Sequence, residues 1–448
     1  MYKAVTLEEV LAARETRSAR QRELQAKYGK PMVSFTMNIP GEVKRSALSD
    51  LAFSVGMLML NRAMGTPLWK KVYWLDTGCE ALYVFDHNPV AMKAICEDIE
   101  FSAPAGRLYD MDVLDEKGNK INRKEPRPCV ICGQPAHSCS RSRAHAPETV
   151  QAVMRRILVE AAPWELGLMA KEALLSEVRI TPKPGLVDGN NNGAHRDMDL
   201  PLMERSARAL RPYFVRMARL GMVDPIPAYS LREIGLQAEA AMFKATGGVN
   251  THRGCIYGFG ILLAATCQVM VEEAAPDAVF GRAGQIAEAV NQACAKAADP
   301  KSTPSHGETV RQKFQAPGIR EEAAAGFPLV QKGLRYLRDE IAQTLQRLAK
   351  DAQSGQKGLD AWNAGMCRTL LAILLQCSDT NLLYRGGPEG LAEARKWAER
   401  VLAASPGDLE QELLAMDQWM IGQNLSPGGC ADLLAMVLLI RWCLMQSL

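Results

Sequence analysis

The sequence predicts an α+β first part followed by a larger all-α second part. Three observations carry that prediction. Short apolar runs broken by turn signals fill residues 1–155. From about Glu148 onward, apolar residues recur at i, i+3, i+4 spacing in long stretches rich in Ala, Leu, Glu and Arg. Loops rich in Gly, Asn and Pro separate those stretches. The texture changes near residue 155, which sets two domains at 1–158 and 159–448.

Taken in order, Met1–Tyr28 reads as an amphipathic, Arg-rich helix. It has no apolar core of the kind a secretory signal carries, and Glu8, Glu9, Glu15 and Glu23 argue against a mitochondrial presequence. Strand-like runs follow at Pro31–Met37, Trp69–Leu75 and Glu80–Phe85, with the turn Asp76-Thr77-Gly78 between the last two. Arg107–Leu114 alternates polar and apolar residues before the turn at Asp115–Asn119. In the second part, helices are expected over Val150–Glu177, Leu200–Leu220, Leu231–Lys244, Gly258–Glu273, Gly284–Ala298 and Glu321–Ala349. The apolar run Leu433–Ile440 stops at Arg441, far short of the roughly 20 residues that span a bilayer, and reads as a buried helix. No repeat or low-complexity tract is visible.

Composition narrows the function. The chain has 448 residues with 48% hydrophobic and 23% charged, ordinary for a soluble globular protein. A net charge of +3 argues against broad coating of nucleic acid, though a local basic pocket can still hold phosphates. With 6% aromatic residues, no base-stacking platform stands out. Twelve cysteines in so long a chain are not a disulfide scaffold, and most sit singly in helix-like stretches, as in a reducing cytoplasm.

Two features of the first part can carry chemistry. Asp110 and Asp112 stand two apart on an expected strand, so both face one side and suit Mg²⁺. Two acids on the solvent face of an edge strand would give the same pattern. Cys129, Cys132, Cys139 and His145 have the spacing of a tetrahedral Zn²⁺ site, with His137 as a competing ligand and free thiols as the alternative.

The second part concentrates its charged residues in loops. Pro182–Asp188 (PKPGLVD) leads to Asn192–Asp199 (NGAHRDMD), placing Lys183, His195, Arg196, Asp197 and Asp199 close in sequence. Lys183 and Arg196 can bind phosphate oxygens, and Asp197 and Asp199 can bind Mg²⁺. Gly247–Gly254 (GGVNTHRG) precedes a long apolar helix, where glycines and a helix N-terminus favour an anion. Asp379-Thr380-Asn381 and Ser426–Asp432 add polar groups beside apolar helices. An acid at a helix start is also a helix cap, and Asp379 and Asp432 carry both readings.

The first part resembles the apo-citrate lyase phosphoribosyl-dephospho-CoA transferases, also called holo-citrate lyase acyl-carrier-protein synthases. Its carriers are Arg20–Tyr28, Pro31–Gly41 with the string TMNIPG, Gly106–Val113, and Cys129 through His145. The resemblance implies a nucleotidyltransferase-like domain in which a carrier-protein serine attacks an α-phosphate and expels pyrophosphate. It gives the metal to Asp110 and Asp112 and a phosphate loop to Asn38 and Gly41. Arg20, Lys44 and Arg107 are candidates to neutralise charge, on chemical grounds.

The second part resembles the triphosphoribosyl-dephospho-CoA synthases. Six strings carry this: PKPGLVD, NGAHRDMD, GGVNTHRG, EAAAGFP (Glu322–Pro328), DTNLLYRGG (Asp379–Gly387) and SPGGCADLL (Ser426–Leu434). Glu321 stands where a small residue is expected, and Cys430 where serine is. The implied reaction joins the 2′-hydroxyl of 3′-dephospho-CoA to C1′ of ATP, with adenine leaving and the triphosphate retained. It calls for Mg²⁺ on Asp197 and Asp199, with Asp379 and Asp432 as further ligands. Lys183, Asn192, Arg196, Asn250, Thr251, Arg253, Glu322, Asn381, Arg385, Gly428 and Gly429 are the candidates to bind substrate and phosphates. His195, His252 and Glu177 are candidates for acid or base.

Together the resemblances imply a cytoplasmic bifunctional transferase with ATP as substrate, Mg²⁺, and a structural Zn²⁺. Its partners are 3′-dephospho-CoA and the apo acyl carrier protein subunit of citrate lyase, with no nucleic acid and no membrane. Two alternatives stand beside this reading: the same chemistry serving malonate decarboxylase, and an active synthase fused to an inactive, zinc-stabilised carrier-docking module.

Overall fold

In the computed structural model, residues 2–123, 125–297, 306–351 and 360–444 are described. The chain divides into two compact units: Met1–Glu165 with Met270–Ala275, and the residues from Leu166 onward apart from that short segment.

The first unit holds helix α1 (Leu7–Tyr28), strand β1 (Met32–Met37), α2 (Ala47–Met64), β2 (Trp69–Leu75), β3 (Gly78–Val84), α3 (Pro89–Ser102), β4 (Tyr109–Leu114) and the short α4 (Ala136–Ser142). It also takes the first half of α5 (Pro147–Arg179). The sheet order is β2-β3-β1-β4, every neighbouring pair antiparallel. Each expected strand is present, Trp69–Leu75 with the expected bounds and the other three shifted by one or two residues. The expected Arg107–Leu114 strand starts at Tyr109, because Gly106–Leu108 is a turn of 3₁₀ helix. The N-terminal helix starts at Leu7, where Thr6 and Glu9 form a reciprocal capping box.

Both sheet faces are covered. Phe35 stacks on Phe53 of α2 at 4.6 Å and meets Tyr109 edge-on at 5.2 Å. That packing needs Gly56, since a Cβ there would stand 2.5 Å from the Phe35 ring. On the other face, Leu24 of α1 packs with Met32, Leu82 and Val84. The outward edge of β4 is also closed. Met111 N–H donates to Glu100 at 2.8 Å, Lys93 Nζ donates to the Met111 carbonyl at 3.0 Å, and Ile121 N–H donates to the Val113 carbonyl at 2.9 Å. An exposed strand edge would invite pairing with another chain; these donors and acceptors satisfy it internally.

The second unit takes the rest of α5, then α6 (Leu200–Leu220), α7 (Ala228–Thr246), α8 (Arg253–Val271), α9 (Ala278–Lys296), α10 (His306–Phe314), α11 (Ile319–Ala324), α12 (Pro328–Asp351), α13 (Ala361–Leu374), α14 (Thr380–Ala403), α15 (Leu409–Gly422) and α16 (Gly428–Leu444). No strand occurs among its described residues, as the periodicity predicts. The expected helix over Glu321–Ala349 is two helices. Gly326 (φ +78°) and Phe327 (φ +55°) break it, and the side chains beyond residue 343 lie outside those described. Ala298, the end of another expected helix, also lies outside the described residues. Helix α8 is long and apolar enough to cross a membrane by length and composition, but 83% of its most apolar window is buried within the fold. It is packed as a core helix. Helix α16 is buried from Leu433 through Ile440, as expected of that run.

Candidate active sites

In the first unit, Asp110 and Asp112 share one face of β4, opposite Thr36 and Ser34 of β1. Glu80 of β3 also pairs with Thr36, so Glu80, Thr36 and Asp110 form one row across three strands. Cations flank the row. Arg17 and Arg20 of α1 reach Glu80 at 2.8 and 3.6 Å, and Lys120 reaches Asp112 at 2.7 Å. Burial, then the neighbouring Asp112, raises the Asp110 pKa, while Arg127, Lys120 and Lys93 act against that rise. Two carboxylates that repel each other on one face fit a divalent cation.

The residues expected to neutralise phosphate are otherwise engaged. Arg20 lies over the Tyr73 ring beside Glu80, Lys44 Nζ donates to the Ile39 carbonyl at 3.0 Å, and Arg107 donates to the Pro128 carbonyl. Asn38 N–H donates to the Leu108 carbonyl, and Gly41 (φ +90°) abuts the Gln151 side chain. Sequence reasoning missed Asp50. It takes two bonds from Arg45, at 3.1 and 2.8 Å, and one each from Tyr2 and Cys79. No local pattern marks that acid, because its partners are far apart in sequence.

The cysteine cluster is assembled. The ligand atoms of Cys129, Cys132, Cys139 and His145 all lie within 4.8 Å of one another, and His137 is outside the group. Cys132 Sγ and Cys139 Sγ are 3.5 Å apart, close to the edge of about 3.8 Å that a tetrahedron with 2.3 Å Zn–S bonds requires. His145 Nε2 is buried without a hydrogen-bond partner. Backbone N–H groups of Cys132 and Ile131 bring the Cys129 thiol down to about 6, toward the thiolate that binds metal. A turn with Gly133 in the left-handed region (φ +75°) brings the first two cysteines together.

In the second unit, the loop strings converge around a buried polar cluster. Lys183 is 1% exposed, and its Nζ donates to Glu177 Oε1 at 2.6 Å and to the Glu177 carbonyl at 2.8 Å. Asp188 and Asp417 hold the surrounding loop. Asp188 accepts from the N–H groups of Lys183, Asn190 and Asn191, and Asp417 accepts from Gly185 N–H and Asn191 Nδ2. The sequence offered no signal for Asp417, one of three acids in α15.

His252 is fully buried. Its Nδ1 is 2.8 Å from Ser206 Oγ, itself 2.6 Å from Thr251 Oγ1, and its Nε2 has no partner. Burial, then the Lys183 charge, pushes its pKa down to about 4. His195 Nδ1 faces Arg385 at 3.4 Å, so the guanidinium donates there and Nε2–H donates to Ser426 Oγ at 2.9 Å. Asp432 Oδ1 accepts from the Cys255 thiol at 2.9 Å. Burial pushes the Asp432 carboxyl up to about 7; the Cys255 bond opposes this, and Glu177 and Asp379 add to it.

The four acids expected to hold one metal do not gather. Asp197 and Asp199 are exposed, and Asp199 Oδ1 caps α6 by accepting from Leu202 N–H at 2.7 Å. Asp379 caps two helices: Oδ1 accepts from Asn381 and Leu382 N–H of α14, and Oδ2 from Cys430 N–H of α16. Among the described residues, no three of these four acids have carboxylate oxygens within 4.8 Å of one another. Glu322 likewise caps α12, accepting from Leu329 N–H at 2.6 Å. Glu321 fills the third position of the capping box at the start of α11.

The glycines of these strings also make room for packing and end a helix. Gly428 and Gly429 make room for Asn381 and Asp379, and a Cβ at Gly254 would stand 2.0 Å from Asp432 Oδ2. Gly247 and Gly248 end α7 at positive φ. Asn192, Arg196, Asn250 and Arg253 are exposed, and Arg253 pairs with Glu239 at 3.0 Å. Arg385 donates to the Ala194 carbonyl at 2.9 Å and to Asn424, joining the NGAHRDMD loop to the turn before α16.

The two parts of the chain each match a known family, and relatives carry both in one chain. Residues 163–447 match the family of ATP:dephospho-CoA triphosphoribosyl transferases, and residues 5–161 match the apo-citrate lyase phosphoribosyl-dephospho-CoA transferases. Protein CitXG of Haemophilus influenzae is 33% identical over 97% of this chain and 95% of its own length. Protein CitXG of Leuconostoc mesenteroides is 28% identical over 97% of each. The 2-(5''-triphosphoribosyl)-3'-dephosphocoenzyme-A synthase of Klebsiella pneumoniae is 40% identical over 61% of this chain and 93% of its own length. The chain therefore belongs to the ATP:dephospho-CoA triphosphoribosyl transferases through its second part and to the apo-citrate lyase phosphoribosyl-dephospho-CoA transferases through its first, the two fused in one polypeptide.

Proposed function

We propose that residues 159–448 join 3′-dephospho-CoA to the ribose of ATP with release of adenine. Residues 1–158 then transfer the phosphoribosyl-dephospho-CoA group to a serine of the citrate lyase acyl carrier protein, with release of pyrophosphate. The family membership of both parts supports this, and the observation that carries it is the cluster of buried Lys183, Glu177 and His252 with half-buried Asp432.

In the second part, the C1′–N9 bond of ATP breaks and a C1′–O bond forms. His252 Nε2 takes the proton of the attacking hydroxyl, and one proton passes to the departing adenine, which leaves as the neutral base. Burial keeps this ring neutral, and Ser206 accepts from Nδ1–H, which leaves the Nε2 lone pair available. The Lys183–Glu177 pair keeps the cluster electrically positioned rather than gripping phosphate. Mg²⁺ needs only one or two protein carboxylates beside substrate phosphates, and Asp432, crowded by Glu177 and Asp379, fits as one. When bound, the ion neutralises triphosphate charge.

In the first part, which we take as nucleotidyltransferase-like, Asp110 and Asp112 would hold Mg²⁺. Cys129, Cys132, Cys139 and His145 would hold a structural Zn²⁺. The substrates, together with twelve free cysteines, fit a reducing cytoplasm.

The test uses the purified full chain with ATP, 3′-dephospho-CoA and Mg²⁺, followed by apo acyl carrier protein. Adenine release and then a carrier mass increase with pyrophosphate support both halves. Adenine release without carrier modification would reduce the first part to a docking module. No adenine would overturn the reading.

A further inference from the structure

Two consecutive residues of α8 shape the carboxylate of Asp432. Cys255 Sγ donates to Asp432 Oδ1 at 2.9 Å, and Gly254 has no side chain where a Cβ would stand 2.0 Å from Oδ2. Cys255 is 1% exposed, so water does not compete for its bond. Asp432 is the fifth residue of α16, past the place at which a carboxylate caps a helix. The bond joins residues 177 apart in the chain. His252 stands three residues before Cys255, and its carbonyl accepts from Ile256 N–H at 2.9 Å to open α8. One turn of chain thus carries both the proposed base and the partner of the carboxylate.

We infer that Cys255 is a positioning residue of the synthase site, whose thiol fixes the rotation of the Asp432 carboxylate and leaves Oδ2 to a divalent cation; the inference rests on the synthase reading of the second part. The kind of donor matters. A lysine or arginine on Oδ1 would cancel the charge that attracts the cation. With no donor at all, the carboxylate would be free to turn. A thiol is a neutral, weak donor, so it takes one oxygen and keeps the negative charge in place. Groups that hold a metal-binding carboxylate from behind set its orientation, and losing one typically weakens metal binding about 10–100-fold. Gly254 acts with Cys255, because any side chain there would crowd the oxygen that the thiol leaves open.

The test follows metal binding and turnover in the full chain. Mn²⁺, a paramagnetic stand-in for Mg²⁺, is titrated into the protein with ATP but without 3′-dephospho-CoA, and protein-bound Mn²⁺ is read by electron paramagnetic resonance. Cys255→Ala is expected to weaken Mn²⁺ binding about tenfold and to raise the Mg²⁺ needed for half-maximal adenine release by a similar factor. KM for 3′-dephospho-CoA should stay close to that of the parent, which a general loosening of the fold would not allow. Cys255→Ser keeps a neutral donor and should restore most of the Mn²⁺ affinity. Unchanged Mn²⁺ affinity in C255A, or equal losses in C255A and C255S, overturns the inference. If C255A does not fold by circular dichroism, Cys255→Val, which has no donor but fills the space, decides on the same readouts. Parent protein that releases no adenine but binds Mn²⁺ in a C255A-sensitive way would defeat the proposed reaction and leave the Cys255 assignment standing.

Discussion

Lys183 Nζ sits 2.6 Å from Glu177 Oε1, and both side chains are closed off from solvent. The pair spans only six residues, from the last turns of α5 to the loop that follows. A buried ion pair is costly to break from one side, because the remaining charge has no partner and no water. Lys183→Met should therefore lower stability by about 3–5 kcal/mol. The double variant Lys183→Met, Glu177→Leu should recover most of that loss, because neither charge remains. Urea unfolding of the three proteins checks this, and equal losses in the single and double variants would contradict it.

His252 gives the fold a pH dependence with a defined sign. Its pKa in the fold is about 4, below the ordinary 6.5, because burial and the Lys183 charge oppose the imidazolium. In the unfolded chain the ring takes a proton as pH falls through 6.5; in the fold it does not until about 4. The stability contribution is thus complete above 6.5 and lost progressively on acidification, amounting to about 3 kcal/mol by pH 4. His252→Gln, which carries no titrating ring, should show a shallower loss between pH 6.5 and 4.5. Parallel slopes for the two proteins in urea unfolding would remove His252 as the cause.

Zinc should co-purify with the chain at one ion per molecule. Three cysteine sulfurs and a buried, unpartnered imidazole nitrogen are already gathered, so the metal adds stability with little rearrangement. Cys132→Ser should lose the metal by elemental analysis and lower the thermal midpoint of the first unit by several degrees. Adenine release should be unaffected, because that chemistry sits in the second unit. Full metal content in C132S would exclude Cys132 as a ligand.

Much of the fold was legible because its signals are local. Alternation in Tyr109–Leu114 and the spacing of Leu200–Leu220 each fix an element without reference to the rest of the chain. The cysteine spacing was equally readable, and the structure brings those four side chains together. What failed to show was the division of labour among acids. Asp379, Asp199 and Glu322 stand in charged strings, yet their oxygens are occupied by backbone N–H groups at helix starts. Cap and ligand look alike in sequence, because both want a carboxylate just before a helix. Ser206, Asp417 and Cys255 were invisible for the opposite reason: each lies within a helix and gains its partner only through packing of distant segments.

That division predicts opposite outcomes for two aspartates that sequence alone would treat alike. Asp199 is exposed, and its side chain caps α6; asparagine is as good a cap as aspartate. Asp199→Asn should keep adenine release within about twofold of the parent and leave stability within a few tenths of a kcal/mol. Asp432 is half-buried beside Glu177 and Asp379 and takes the Cys255 thiol on one oxygen, while the lack of a side chain at Gly254 leaves room for the other oxygen. Asp432→Asn keeps size and shape but removes the negative charge. Adenine release should fall by about a hundredfold or more, the scale for losing a group that stabilises developing charge. Stability should not fall, because a buried carboxyl held near 7 gives up little when made neutral. Steady-state adenine release at saturating Mg²⁺, with thermal unfolding of both variants, makes the comparison. A large loss in D199N would return the metal to the exposed loop, and near-parent activity in D432N would remove Asp432 from the reacting centre.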